Sequence, residues 1–418
     1  MQIIYSILVH LYYFAIYIAS FFDSKAKKWI QGRTKLFAKL SRDFAQNNAP
    51  VVWFHCASLG EFEQGRPVME ALKQRKPYIK ILVTFFSPSG YEVVAKQNTV
   101  VDFISYLPLD TQANAKRFIE IVRPQVILFI KYEFWFNFLS IIAKKKIPLI
   151  LFSAVFRKEQ IFFQWYGGFF RNILNEFTHI FVQNQASLDL LYSIDINSAT
   201  ITSDTRLDRV RTILENKEQF PLIEKFKNNQ KLLIVGSSWR RDLEVIIPFL
   251  NEFDQPLKVI IAPHEIKENE IKYIQTELTT PALRYSEATE ENVNQYDALI
   301  LDNVGMLAQL YQYADFAYIG GAFGEGLHNI LEPAVHGIPI FFGKEYQNFP
   351  EAIDLIELDV AFSVENTKEL DLIFTRIYYD ADKRSEIKAA CEKYIKENSG
   401  GTEVLVSYII RLLNVMKC

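Results

Sequence analysis

The residues able to do chemistry gather at glycine-broken turns that follow apolar runs. In HCASLGEFEQGRP, residues 55–67, the run from Val51 to Phe54 ends at such a turn, and Glu61 falls where helical spacing begins. A turn of this kind ordinarily offers free N–H groups to a phosphate, so a carboxylate there is either a partner for the helix dipole or a general base. Glu133, in FIKYEFWFN, follows another apolar run. A strand-end acid is fixed in place and partly desolvated, which raises its pKa towards operating pH. Arg206, Arg209 and Arg211 in SDTRLDRVR, together with Arg157, can grip an anionic sugar or a leaving phosphate through forked hydrogen bonds, or simply line a solvated face.

The second half repeats the theme. In IGGAFGEGLHNILEPAVHGIPIFFG, residues 319–343, a strand ends at Gly320–Gly321, a glycine loop follows, and the spacing predicts a helix from near Leu327 and Asn329. Glycine lets a backbone approach a ligand, and a helix start offers N–H groups to a phosphate. Glu332 then either accepts both hydroxyls of a ribose or complements the dipole. LLIVGSSWRRDLE, residues 232–244, offers Ser237 and Ser238 as phosphate donors or helix caps, and VIIAPHE ends at Pro263–His264. His328 is a ligand or a cap. With His336 it lacks a third partner at a metal-binding spacing, so no metal site is expected. Cys56, Cys391 and Cys418 include no C-x-x-C pair and read as structural, in a reducing compartment.

Positioning these turns requires an α/β scaffold. The 418 residues suit two lobes, and a net charge of −3 with half the residues hydrophobic excludes disorder and a nucleic-acid polycation. Short apolar runs at 51–57, 80–87, 102–107, 126–132, 147–154 and 179–183 alternate with amphipathic stretches, as do 231–236, 257–262, 297–302, 316–320 and 339–343. That alternation predicts two Rossmann-like lobes, 49–215 and 216–418, divided where periodicity loosens around 214–230. A last helix is expected over 402–416. Two facing lobes would form a crevice at the carboxyl ends of their strands. Residues 1–22 carry no Asp, Glu, Lys or Arg and predict a transmembrane anchor helix. Residues 23–48 interleave Trp29, Ile30, Leu36, Phe37, Leu40 and Phe44 with cations. They read as a basic amphipathic segment on the cytoplasmic membrane surface, or as a solvated linker helix.

In order along the chain, the apolar N-terminus, HCASLGE, TFFSPSGYE, YEFWFN, DTRLDRV, VGSSW, DNVGML, GLHNILEP and NFPEA resemble the 3-deoxy-D-manno-octulosonic acid (Kdo) transferases. These are membrane-anchored glycosyltransferases of lipid A and lipopolysaccharide assembly with the two-lobed GT-B fold, and the likeness runs almost end to end. It implies passage of Kdo from CMP-Kdo to a primary hydroxyl of a lipid A precursor (lipid IVA) at the inner membrane, with inversion at the anomeric carbon. Glu61 matches the family's catalytic base, and Glu133 and Arg206 match positions that place the reacting groups or stabilise the transition state. By the same likeness Pro263, His264, Val304, Gly305, Met306, Asn329, Ile330, Leu331 and Glu332 would bind CMP, with Ser237 on its phosphate. No metal or other cofactor is implied, because CMP carries the leaving charge itself, and no nucleic acid partner is implied. The chain departs from the family pattern at Lys131–Tyr132–Glu133–Phe134–Trp135–Phe136, where Glu-Thr-Glu-Leu-Trp-Pro is usual. Pro263–His264–Glu265 replaces Pro-Arg-His, Gly326–Leu327–His328–Asn329 replaces Gly-Gly-His-Asn, and Ser203 replaces the glycine usual before Asp204. Two rival readings stand beside this one: a GT-B transferase using a UDP-sugar, and a membrane-tethered two-lobe binding protein without catalysis.

Overall fold

A computed structural model describes residues 2–96, 100–215 and 218–415, so Cys418 and residue 416 lie outside the described residues. The chain forms two compact units, one of residues 1–208 with 399–418 and one of residues 209–398. In the first, the strands are β1 (Val51–Cys56), β2 (Lys80–Phe85), β3 (Phe103–Tyr106), β4 (Pro124–Ile130), β5 (Leu149–Ala154), β6 (His179–Val182) and β7 (Ala199–Ile201). They form a parallel sheet in the order β3-β2-β1-β4-β5-β6-β7. Every residue of β1 is buried, because helices cover both faces. Val51 and Trp53 enter one core cluster, Val52, Phe54 and Cys56 the other, as a strand's two-residue period requires. Strand order reverses between β1 and β4. The carboxyl ends of those two strands therefore flank the topological switch point, where α/β sheets bind ligands.

The N-terminal expectations need correction. The first helix, Gln2–Ala19, has 18 residues, and no helix among the described residues is long and apolar enough to cross a membrane. It exposes Ile3, Ile7, Leu11 and Phe14, yet Tyr5 Oη donates to the buried Asp110 Oδ2 at 2.6 Å. Asp110 in turn accepts from the N–H groups of Asn137 (3.1 Å) and Phe138 (2.9 Å) and so caps the helix Phe136–Lys144. The basic segment forms helices Ser24–Arg33 and Leu36–Phe44. Trp29, Leu36, Leu40 and Phe44 are buried, and the last three join the sheet's core cluster, so this apolar stripe faces protein rather than lipid. Arg33 lies 3.7 Å above the Trp29 ring and donates to the carbonyls of Trp29, Phe86 and Leu107, which pins the segment down.

The second unit contains β8 (Lys231–Ser238), β9 (Leu257–Pro263), β10 (Ala282–Arg284), β11 (Ala298–Ile300), β12 (Phe316–Ile319), β13 (Ile340–Phe342) and β14 (Ala361–Ser363). Their order, β10-β11-β9-β8-β12-β13-β14, puts a second switch point between β8 and β12. The sequence runs anticipate every strand but β7, β10 and β14. Each of those has three residues at an edge of a sheet and is only partly buried, so it writes no unbroken apolar run, unlike the equally short but fully buried β11 and β13.

The division at 215/216 also shifts. The break between units falls after Asp208, inside the helix Thr205–Glu215. The final helix, Gly401–Val415, belongs to the first unit. Its apolar stripe, Leu405, Val406, Ile409 and Leu413, completes the core cluster that also holds Phe62, Val68 and Leu72 of the helix Leu59–Arg75. Asp208 caps it, accepting from the N–H groups of Gly400 (2.6 Å) and Thr402 (2.7 Å).

Candidate active site

In the first unit the candidate acids follow β1 and β4. The helix Leu59–Arg75 begins after Ser58, whose own side chain makes no capping bond. Glu61 takes that duty by reaching back, accepting from the N–H groups of Ala57 and Ser58. It is 8% exposed. Burial pushes its carboxyl up to about 8, the neighbouring Glu133 adds to this, and the Ala57 N–H and Lys131 pull the other way. A group of that kind releases its proton near neutrality, as a general base must.

Lys131 follows β4 with a left-handed backbone (φ 61°), which turns the chain towards Glu133. Glu133 Oε2 accepts from Trp135 Nε1–H at 2.6 Å and lies 3.1 Å from His55 Nε2. Cys56 is buried as expected, and burial, then Glu61 and Glu133, push its thiol well above the usual range. Arg206 is held by Asp204, its Nε 3.0 Å from Oδ2 and its Nη2 2.5 Å from the same oxygen. Burial works to raise Asp204, but Arg206 beside it prevails and, with Lys131, keeps its pKa low. Lys131 thus acts on both Glu61 and Asp204, which ties the Arg206 pair to the acids.

In the second unit, Ser237, Pro263, His264, Asn303, Val304 and Gly305 line a hollow of about 260 Å³ at the carboxyl ends of β8, β9 and β11. Ser237 is left-handed (φ 52°), at the point where β8 breaks register with β9. Met306 stands beside Asn303, whose Nδ2 approaches its thioether. The loop after β12 tolerates only glycine at two places. A Cβ on Gly320 would meet the Ser237 carbonyl at 2.4 Å, and Gly321 has φ +97° with the Gly326 carbonyl 2.2 Å from its Cβ position. Asp242 ties this loop down: its Oδ2 accepts from the N–H groups of Gly321 and Trp239, both at 2.9 Å. Burial pushes its carboxyl up to about 6.

Trp239 stacks on His264 (4.3 Å) and His264 on His328 (4.5 Å), while Trp239 Nε1–H donates to His328 Nε2 at 3.1 Å. Burial, then His264, push His328 down to about 4, so at neutral pH it accepts this bond as a neutral ring. The helix expected from Leu327 starts only at Leu331 and ends at Ala334. Four residues carry little macrodipole, so this stretch offers individual groups rather than a helix end. Asn329 Nδ2 donates to Glu332 Oε1 at 3.0 Å, and Asn329 Oδ1 accepts from the Leu331 N–H at 3.2 Å. Ile330 and Leu331 are wholly buried, which leaves only their main chain to a ligand, and residues 329–332 are not among those lining the hollow. Burial lowers Arg209, and the Glu332 carboxylate works against that.

The motifs holding His55, Trp135, Asp204, Trp239 and Asp242 are legible in the sequence, but the duties of those residues are not. Each follows a strand end or occupies its last residues, the signal that picked out Glu61 and Glu133.

A family model described as Glycos_transf_N, 3-Deoxy-D-manno-octulosonic-acid transferase (kdotransferase), matches residues 30–209. The 3-deoxy-D-manno-octulosonic acid transferase of Chlamydophila psittaci is 28% identical over 309 residues, covering 72% of this chain and 70% of its own. That of Aquifex aeolicus is 26% identical over 335 residues, covering 79% and 86%. Among solved structures, the S. aureus MnaA-UDP co-structure superposes with a TM-score of 0.58 at 13% identity, covering 87% of this chain and 97% of its own. That likeness concerns the fold, and with the two parallel-sheet lobes it identifies GT-B. The chain is related to the Kdo transferases and is an enzyme of that kind, a glycosyltransferase.

Proposed function

We propose that this enzyme moves Kdo from CMP-Kdo to a primary hydroxyl of a lipid A precursor such as lipid IVA, with inversion, and that Glu61 is the general base. The acceptor oxygen attacks the anomeric carbon and its proton passes to the Glu61 carboxylate. The bond from that carbon to the phosphate oxygen breaks, and CMP leaves with the electron pair. Glu61 then returns its proton to solvent. The observation that carries the reading is the buried Glu61 at the first switch point, beside Glu133, with its carboxyl lifted to about 8. Glu133 and Arg206 position the reacting groups. The nucleotide is assigned to Ser237, Pro263, His264, Val304, Gly305 and Met306 around the hollow, with the main chain of Ile330–Leu331 and the side chains of Asn329 and Glu332 beside them.

The names of the related transferases support the sugar that is moved. Purified enzyme given CMP-Kdo and a tetra-acylated lipid A precursor is expected to yield product heavier by Kdo on mass spectrometry. CMP but not UDP is expected to raise the melting temperature, by about 2.7 kcal/mol of stabilisation at a hundred times its Kd. Stabilisation by UDP alone would favour a UDP-sugar transferase. Turnover undiminished in Glu61→Gln would remove the base.

We also propose that the exposed face of Gln2–Ala19, with Ile3, Ile4, Ile7, Leu8 and Leu11, holds the enzyme on the cytoplasmic surface of the inner membrane. Recovery of the full chain in the soluble fraction of a lysate would sink this.

A further inference from the structure

His55 is wholly buried on β1, on the same sheet face as Trp53 and directly opposite Thr84 of β2 in the parallel register. Its two ring nitrogens have different neighbours. Thr84 Oγ1 lies 2.9 Å from Nδ1 and 2.7 Å from Trp53 Nε1. An indole N–H can only donate, so the Thr84 oxygen accepts from Trp53 and its own proton is free to go to His55 Nδ1. On the far side, Nε2 is 3.1 Å from Glu133 Oε2, which already accepts from Trp135 Nε1–H at 2.6 Å. A lone pair on Nε2 would face the lone pairs of a carboxylate. The ring proton therefore belongs on Nε2 and is donated to Oε2. The 3.2 Å approach of Trp135 Nε1 to Nε2 then brings two donors side by side, both directed at one oxygen. Nδ1 also lies 3.2 Å from the Thr84 main-chain carbonyl, and Nε2–H donates to Glu133 whether or not Nδ1 carries a proton as well. Glu133 Oε1, by contrast, makes no hydrogen bond among the described residues, on a side chain that is 14% exposed.

We propose, resting on the transfer reading above, that His55 is a positioning residue: backed by Thr84 and Trp53, its Nε2–H clamps one oxygen of Glu133 so that the other stays presented to the reacting groups. An acid on a strand-end loop has freedom to rotate, and two fixed N–H donors on a single oxygen remove it. The clamp is built from the sheet itself, the most rigid part of the unit, which is where a group holding a catalytic carboxylate has to be rooted.

Two amide substitutions separate positioning from mere packing. Glutamine at 55 brings its N–H₂ near the place of Nε2 and still donates to Glu133, whereas asparagine reaches only as far as Nδ1 and keeps the Thr84 side alone. His55→Asn is expected to lower kcat roughly 100-fold, the scale of a misplaced reacting group, with the KM for CMP-Kdo within about threefold of wild type. His55→Gln is expected to restore kcat to within about tenfold. The double variant His55→Asn/Glu133→Gln is expected to be no slower than Glu133→Gln alone. In full-length protein labelled with ¹⁵N-tryptophan, the Trp135 Nε1–H resonance should move in His55→Asn and return in His55→Gln. Equal losses in the two amide variants, additive losses in the double variant, or an unmoved Trp135 resonance would each overturn the proposal. Should the asparagine variant not fold, the near-isosteric Thr84→Val, which removes the hydroxyl behind Nδ1, is expected to lose roughly tenfold in kcat, and no loss there would overturn it. A wild-type protein that transfers no Kdo would sink the transfer reading instead, and the resonance would still decide whether His55 holds Glu133.

Discussion

Replacing Glu61 by glutamine separates its capping of the helix start from the general-base role proposed for it. The amide keeps an oxygen that can accept from the N–H groups of Ala57 and Ser58, so the helix start survives, but nothing is left to ionise. In the folded wild type the carboxyl lies at about 8, against an ordinary value of 4.5. At about 1.4 kcal/mol per pH unit, that difference amounts to about 5 kcal/mol as an upper figure. Because the folded value is raised, the folded state keeps a proton that the unfolded chain has released between 4.5 and about 8. Stability therefore falls as pH rises through that window: none of the penalty is present below it, and all of it is present above. Glutamine has no such slope. Urea denaturation of both proteins near pH 5 and near pH 9 is expected to show the wild type losing several kcal/mol that the variant keeps. Glu61→Gln should at the same time lose transfer roughly 100- to 10,000-fold. A wild-type slope no steeper than the variant's would refute the raised carboxyl, and transfer within a factor of two of wild type would refute the base.

Tyr5→Phe removes the hydroxyl that donates to buried Asp110 and should cost about 1–2 kcal/mol in urea denaturation. Removal of residues 2–19 should cost at least as much, and an unchanged midpoint would show that the first helix is not integrated. Asp242→Ala leaves the Trp239 and Gly321 N–H groups unpaired and should cost about 2–4 kcal/mol while weakening CMP binding in calorimetry. Burial raises Asp242 from 3.8 to about 6, so wild-type stability should fall as pH rises across that interval, by about 3 kcal/mol at most. Asp242→Asn should flatten that slope, and a slope of the opposite sign would contradict the burial argument. Lys131→Met removes a charge that lowers Glu61, so the rising limb of the pH–rate profile should move to higher pH. A limb that stays put or moves down would place Lys131 outside the site.

Much of this was legible beforehand because buried parallel strands write themselves as unbroken apolar runs. VVWFHC and PQVILFI could be read as β1 and β4, and the acids after them followed from strand-end logic. The edge strands Ala282–Arg284 and Ala361–Ser363 could not, since three partly exposed residues at a sheet edge write no apolar run. Residues 23–48 misled because an amphipathic stripe has the same spacing whether lipid or protein covers it, and Arg33, which reads as a solvated cation, lies over Trp29. The destination of the last helix was equally hidden, because its stripe fits any apolar groove and only tertiary contact chooses the first unit. His55 escaped notice for a related reason. A lone histidine in an apolar strand has no signature until Thr84 and Glu133 are brought to its two sides by pairing and by a loop.

The return of Gly401–Val415 to the first unit has a consequence for biosynthesis. As the chain leaves the ribosome, residues 209–398 form a continuous unit able to fold as soon as they emerge, whereas the lobe bearing Glu61 must wait, its core open where Leu405, Val406, Ile409 and Leu413 will dock. The nascent protein is expected to pass through a stage with residues 209–398 folded and the unit bearing Glu61 still exposing apolar surface to chaperones. A premature stop near residue 400 would therefore injure the lobe made first, and pulse-labelled chains arrested there should be cut by protease in residues 51–182 before residues 231–363.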